Sequence, residues 1–80
     1  MNGMKTLHDG TSEFAHVRTE MIAYTWKFED AGDHEHPFIL TVTVDGETHS
    51  EGFEHDIGRD EAASRAEKLA GEVYAARHKD

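Results

Sequence analysis

Apolar residues recur along this chain with two different periods, and the change of period divides it. From Met21, the residues Ile22, Tyr24, Trp26 and Phe28 alternate with Ala23, Thr25 and Lys27. That is the period of a strand with one buried face. Glu29 to Pro37 breaks the pattern with Gly32 and the chain's only proline, and reads as a loop. Phe38, Leu40, Val42 and Val44 then alternate with Ile39, Thr41 and Thr43, which predicts a second strand over 38–44. After Asp45-Gly46 a third strand is expected over 47–53. Beyond Gly58 the spacing becomes helical: Ala62, Ala66, Leu69, Val73 and Ala76 share a stripe, with Asp60 and Glu61 in the first turn where the helix dipole favours acids. The helix is expected over about 59–77.

The hairpin at Asp45-Gly46 offers two registers. A two-residue turn sets Val42 beside His49 and Leu40 beside Glu51, placing acids on the core face. A three-residue turn with Gly46 left-handed pairs Val42 with Thr48, Leu40 with Ser50 and Phe38 with Gly52. The second keeps Glu47, His49 and Glu51 outside with Thr41 and Thr43, and is the register expected. Residues 1–20 are an N-terminal tail or short lead-in: 1–13 are polar and dotted with glycine, and Phe14 to Arg18 fits a helical turn or an extended segment equally. The expected architecture is therefore α+β, a single domain over 21–80. In it a three-stranded antiparallel sheet packs against one C-terminal helix (βββα), with Ile22, Trp26, Leu40, Val42, Leu69 and Val73 buried together.

Composition narrows the function. Eighty residues make one domain close to the lower size for a self-sufficient core. There is no cysteine, so no disulfide supports the fold. No apolar run approaches the roughly 20 residues of a membrane helix, and the start lacks the apolar stretch of a signal peptide. A cytoplasmic protein without membrane contact is expected. The formal charge is −9, and its placement is uneven. Residues 1–28 are net zero and residues 62–80 net +1. Residues 29–61 are net −10, with Arg59 as the one base among Glu29, Asp30, Asp33, Glu35, Asp45, Glu47, Glu51, Glu54, Asp56, Asp60 and Glu61. Such a field repels phosphate and attracts basic surfaces. These eleven acids are the candidate partner-binding residues.

Catalytic and metal chemistry find little footing. His34-Glu35-His36 places two imidazoles two residues apart in a loop, which fixes no coordination geometry without His49 or His55 converging on them. Glu29, Asp30, Asp33 and Glu35 do not follow a calcium-loop pattern. Ser12, Ser50 and Ser64 lie in no nucleophile motif, and no glycine-rich phosphate loop precedes the helix. The expectation is no enzyme, no cofactor and no metal.

From Trp26 to Tyr74 the chain resembles the double-stranded RNA-binding domain. Gly32-Asp33-His34 stands before the second strand, Phe38 to Gly46 resembles that strand and its turn, and Gly52 and the alanine-rich helix also fit. The resemblance implies the fold. The family's phosphate-gripping lysines at the helix start are replaced by Arg59-Asp60-Glu61, so only Arg59 and His34 carry over, and direct binding of nucleic acid is not expected. In its small size, acidity and lack of cysteine the chain also resembles phage-encoded anti-CRISPR proteins, especially those acting on type I complexes. That resemblance implies an inhibitor, a monomer or weak homodimer, acting in the host bacterial cytoplasm. It would dock on a lysine- and arginine-rich nucleic-acid-binding surface of an effector subunit and block target DNA. Alternate residues of a strand stand about 6.6–7 Å apart, near the spacing of successive phosphates. The alternative is a double-stranded RNA-binding-like module diverged toward protein interaction.

Overall fold

A computed structural model describes residues 5–16, 20–32 and 37–77. Four strands and one helix follow in order: β1 (Lys5–His16), β2 (Glu20–Asp30), β3 (Phe38–Val44), β4 (Glu47–Phe53) and α1 (Gly58–Arg77). The strands form one antiparallel meander, β1-β2-β3-β4, and α1 crosses one face. The α+β class and the C-terminal helix agree with the sequence pattern, but the sheet has four strands where three were expected. The fourth comes from residues 5–16, the segment read as a tail or lead-in.

β1 escapes notice because its core-facing positions are small or polar. His8, Gly10 and Ser12 stand opposite Phe28, Trp26 and Tyr24 of β2. The large rings of β2 fill the space above these three residues, so β1 needs little apolar bulk of its own. Gly10 illustrates this: a Cβ there would lie 2.9 Å from Nε1 of Trp26, so only glycine lets the indole settle across the strand. His8 stacks on Phe28 with ring centroids 6.1 Å apart. Phe14 meets Tyr74 of the helix edge to face, at 5.9 Å. A bulge between Thr6 and His8 turns Leu7 onto the core margin.

The core is built from Tyr24, Trp26 and Phe28 of β2, Leu40, Val42 and Val44 of β3, and Ala62, Ala66, Ala70, Val73 and Tyr74 of α1. Trp26, Leu40, Val42 and Val73 are buried as expected, while Ile22 and Leu69 are only partly covered at its edge. The buried helical stripe runs through Ala70 and Tyr74, and Ala76 is exposed. The reason is the added strand: α1 packs on β1, β2 and β3, which turns the helix toward Phe14 and brings Tyr74 inward. Three fully buried alanines let the helix backbone approach the sheet closely.

The hairpin register also differs from the expected one. Val44 pairs with Glu47, Val42 with His49 and Leu40 with Glu51, so the turn is the two-residue Asp45-Gly46 form. Asp45 has φ 52° and Gly46 φ 79°, as a type I′ turn requires at both positions. Glu47, His49 and Glu51 therefore share a face with Val44, Val42 and Leu40. Their polarity is tolerated because α1 lies over the other three strands and β4 overhangs its flank. From Glu47 to Phe53 the side chains of β4 remain exposed or half exposed.

Candidate functional site

Nine of the eleven candidate acids fall within the described residues; Asp33 and Glu35, like His34 and His36, lie outside them. Six of the nine are held by local partners. Glu29 is buried, with Thr6 donating to it at 3.5 Å and the Lys27 ammonium 3.8 Å away. Asp30 accepts the Gly32 N–H at 2.9 Å, closing the turn that ends β2. Asp56 accepts the Gly58 N–H at 2.9 Å where α1 begins, and His8 Nε2 lies 3.5 Å from the same oxygen. Glu61 pairs with Arg65 one helical turn on, at 2.9 Å. Asp45 and Glu47 face Arg77 of the last helical turn at 3.7 and 2.8 Å, which ties the hairpin to the end of α1.

Glu47 is also linked to His49 across 3.0 Å. That hydrogen bond lowers its carboxyl below the ordinary glutamate range; desolvation opposes the shift and the Arg77 charge reinforces it. The ordinary surface value of such pairs is small. Their consequence is positional: Asp45 and Glu47 have a partner on α1, Arg77, and do not project unopposed.

Glu51, Glu54 and Asp60 remain. All three are exposed and make no hydrogen bond or ion pair among the described residues. Glu51 lies on β4, Glu54 in the connection that follows it, and Asp60 in the first turn of α1. Glu51 lines a shallow concavity with Arg65, Lys68, Leu69 and Glu72. Two arginines of α1 are turned onto rings. The Arg59 guanidinium lies 5.7 Å from the centre of the Trp26 ring, and that of Arg65 lies 5.7 Å from the centre of Phe53. Arg59, Arg65 and Lys68 remain exposed, so the unpaired acids stand beside cations that lean on rings or on Glu61. This arrangement depends on packing partners far apart in sequence, and no local motif signals it.

No element among the described residues covers the sheet face opposite α1, and its character was only half legible. The pairing sets Thr11 beside Thr25, Thr25 beside Thr43 and Thr43 beside Thr48, one rank of threonines across all four strands. The next rank is Asp9, Lys27, Thr41 and Ser50. Hydroxyls couple β3 to β4 at 3.1 Å for Thr41 and Ser50 and 3.0 Å for Thr43 and Thr48. Thr25, Thr41 and Thr43 were expected here; Thr11 was lost with β1, and Thr48 and Ser50 with the hairpin register. A shallow concavity over Thr11, Thr25, Lys27 and Thr41 is open to solvent and not an enclosed pocket.

Among the described residues no group of three or more His, Asp or Glu side chains converges as a metal site, and no helix is long and apolar enough to cross a membrane. Compared with protein-family models, with curated proteins and with solved structures, the chain matches none.

Proposed function

We propose that this protein is a non-enzymatic inhibitor that docks its β4–α1 side onto a basic, nucleic-acid-binding surface of another protein. In its sharpest form the reading is an anti-CRISPR protein acting in a bacterial cytoplasm on a type I effector complex and denying it target DNA. The observation that carries the reading is the divided fate of charge on this side. Glu51, Glu54 and Asp60 are exposed without an ion-pair partner among the described residues, while Arg59 and Arg65, themselves exposed, lean onto Trp26 and Phe53. The connecting stretch 45–56 holds five acids and no lysine or arginine. A surface of this kind raises association rates with basic partners and repels the nucleic acid those partners bind. The uncovered sheet face argues in the same direction. Among the described residues it offers Lys27 as its one base, and Trp26, which borders its concavity, is buried and gives bases no platform on which to stack.

The surface differs from the one expected from sequence. Glu47 and Asp45 belong to the bond with Arg77, so reversing them would disturb the helix end as well as the interface. Reversal of Glu51, Glu54 and Asp60 to lysine breaks no ion pair among the described residues and moves the formal charge from −9 to −3. The test is displacement of DNA from a purified type I effector complex, read by gel shift across a salt series. The parent should inhibit DNA binding, less so as salt shortens the Debye length from about 10 Å at 0.1 M to about 3 Å at 1 M. The folded triple variant should inhibit at least about tenfold less well. Equal inhibition by parent and variant, with the fold verified by circular dichroism, defeats the proposal.

A further inference from the structure

We infer that the outer edge of β4 is a strand-addition site for an extended, lysine- or arginine-bearing segment of the partner protein. The inference rests on the docking reading above and specifies how contact is made.

The geometry follows from the turn. In a two-residue hairpin the residues flanking the turn exchange backbone hydrogen bonds, so Val44 and Glu47 form a bonded pair. Bonded and non-bonded pairs alternate along an antiparallel ladder. Glu47, His49, Glu51 and Phe53 therefore spend their backbone groups on β3. The N–H and C=O groups of Thr48, Ser50 and Gly52 point away from the sheet. β4 is the last strand of the sheet, and α1 lies over β1, β2 and β3. Natural edges are commonly blunted by proline, a bulge or inward-pointing charges. β4 has neither proline nor bulge, since the bulge between Thr6 and His8 lies in β1 and the chain's proline precedes β3; its charges on the helix side, Glu47 and Glu51, are acidic and oppose pairing with another acidic strand.

The side chains choose the occupant. A strand laid antiparallel against β4 would set one set of alternate residues beside Glu47, His49 and Glu51 on the helix side, and the other beside Thr48 and Ser50. Glu47 is already paired with Arg77, and Glu51 has no ion pair among the described residues, so the first set favours a cation beside Glu51, because opposite charges directly across a ladder stabilise it and like charges oppose it. A second copy of this chain is the other candidate. It would bring two edges together whose flanks, 45–56, each carry five acids and no lysine or arginine. Charge thus selects a basic foreign strand over self-pairing.

The test uses the whole chain and a synthetic seven-residue peptide of alternating lysine and threonine, beginning and ending on lysine, to match the length of β4. The control is the same peptide with its threonine nitrogens methylated, which keeps every charge and removes the pairing donors. The expected result is that the parent binds the plain peptide at least about tenfold more tightly, the order that a few net backbone hydrogen bonds supply. Amide resonances of Thr48, Ser50 and Gly52 should shift on binding. Ser50→Pro, which leaves all charge in place and blocks the edge, should bind both peptides equally and weakly. Equal binding of both peptides by the parent overturns strand addition while leaving electrostatic docking intact. Failure to bind either overturns both. A parent dimer in sedimentation that Ser50→Pro dissolves overturns the inference in favour of a second copy. Should the proline variant fail to fold, the methylated peptide still decides the question on the parent.

Discussion

Replacing Gly10 by alanine and Gly71 by alanine makes the same chemical change at two sites and should produce opposite results. At Gly10 the new methyl would stand 2.9, 3.1 and 3.2 Å from Nε1, Cε2 and Cζ2 of Trp26. The indole is 6% exposed and is capped by Arg59, so it has little room to retreat. Forcing an extra methyl into such packing costs about 1–3 kcal/mol. Removing a strand glycine returns about 0.5–1 kcal/mol of backbone entropy. The net loss lies between about 0 and 2.5 kcal/mol, with a midpoint of about 1.2 kcal/mol, or a Tm lower by roughly 5–10 °C at about 4–8 °C per kcal/mol for a domain this size. At Gly71, inside α1, an added Cβ meets nothing within 4 Å. There the helix-propensity gain of about 0.5–1 kcal/mol stands unopposed. Thermal unfolding followed by far-ultraviolet circular dichroism gives the stabilities. Emission from the single tryptophan reports whether the indole moves. If Gly10→Ala proves as stable as the parent while Gly71→Ala is stabilised, β1 does not pack against Trp26 as described.

Three further outcomes test other parts of the structure. Leu40→Ala empties a fully buried site on β3 and should cost about 2–5 kcal/mol. Urea titration should show a lower midpoint with an unchanged slope, and a loss under about 1 kcal/mol would mean that the core is not centred there. For Glu47 the folded carboxyl is lowered, so its contribution is present above the ordinary glutamate value and fades as pH falls through the lowered one. In a carboxyl NMR titration His49→Ala should raise this value more than Arg77→Ala, and the reverse order would refute the hydrogen bond as chief cause. Reversing Glu51, Glu54 and Asp60 together should leave the unfolding midpoint close to the parent's, since none has an ion pair to lose among the described residues; a collapse of the fold would show that these acids are structural.

What the sequence made legible was whatever one segment decides alone. β2 and β3 announce themselves because each supplies a complete buried face, and α1 because its acids, alanines and spacing agree. β1 is a different kind of element. Its faces make sense only once Tyr24, Trp26 and Phe28 are in place to cover His8, Gly10 and Ser12, and a window of twelve residues holds no trace of rings donated by the neighbouring strand. The helix stripe was displaced for the same reason: Tyr74 is buried because Phe14 is there to meet it.

The hairpin carries the more general lesson, because the argument against the observed register was physically sound and its premise was not. Acids opposite Leu40 and Val44 are costly only if the helix covers every strand. With a fourth strand on the far side, one helix cannot cover the whole sheet, and it settles over β1, β2 and β3. β4 is left as an overhang, where the turn chemistry of Asp45-Gly46 decides the register unopposed. Missing β1 thus led to misplacing β4, at the opposite edge. The same geometry gives β4 its two properties: an outer row of backbone groups with no strand to receive them, and acidic side chains that the helix flank meets at Arg77 and leaves open at Glu51. A strand in that position is stabilised from one side only. Its other side is where a partner gains most from adding order.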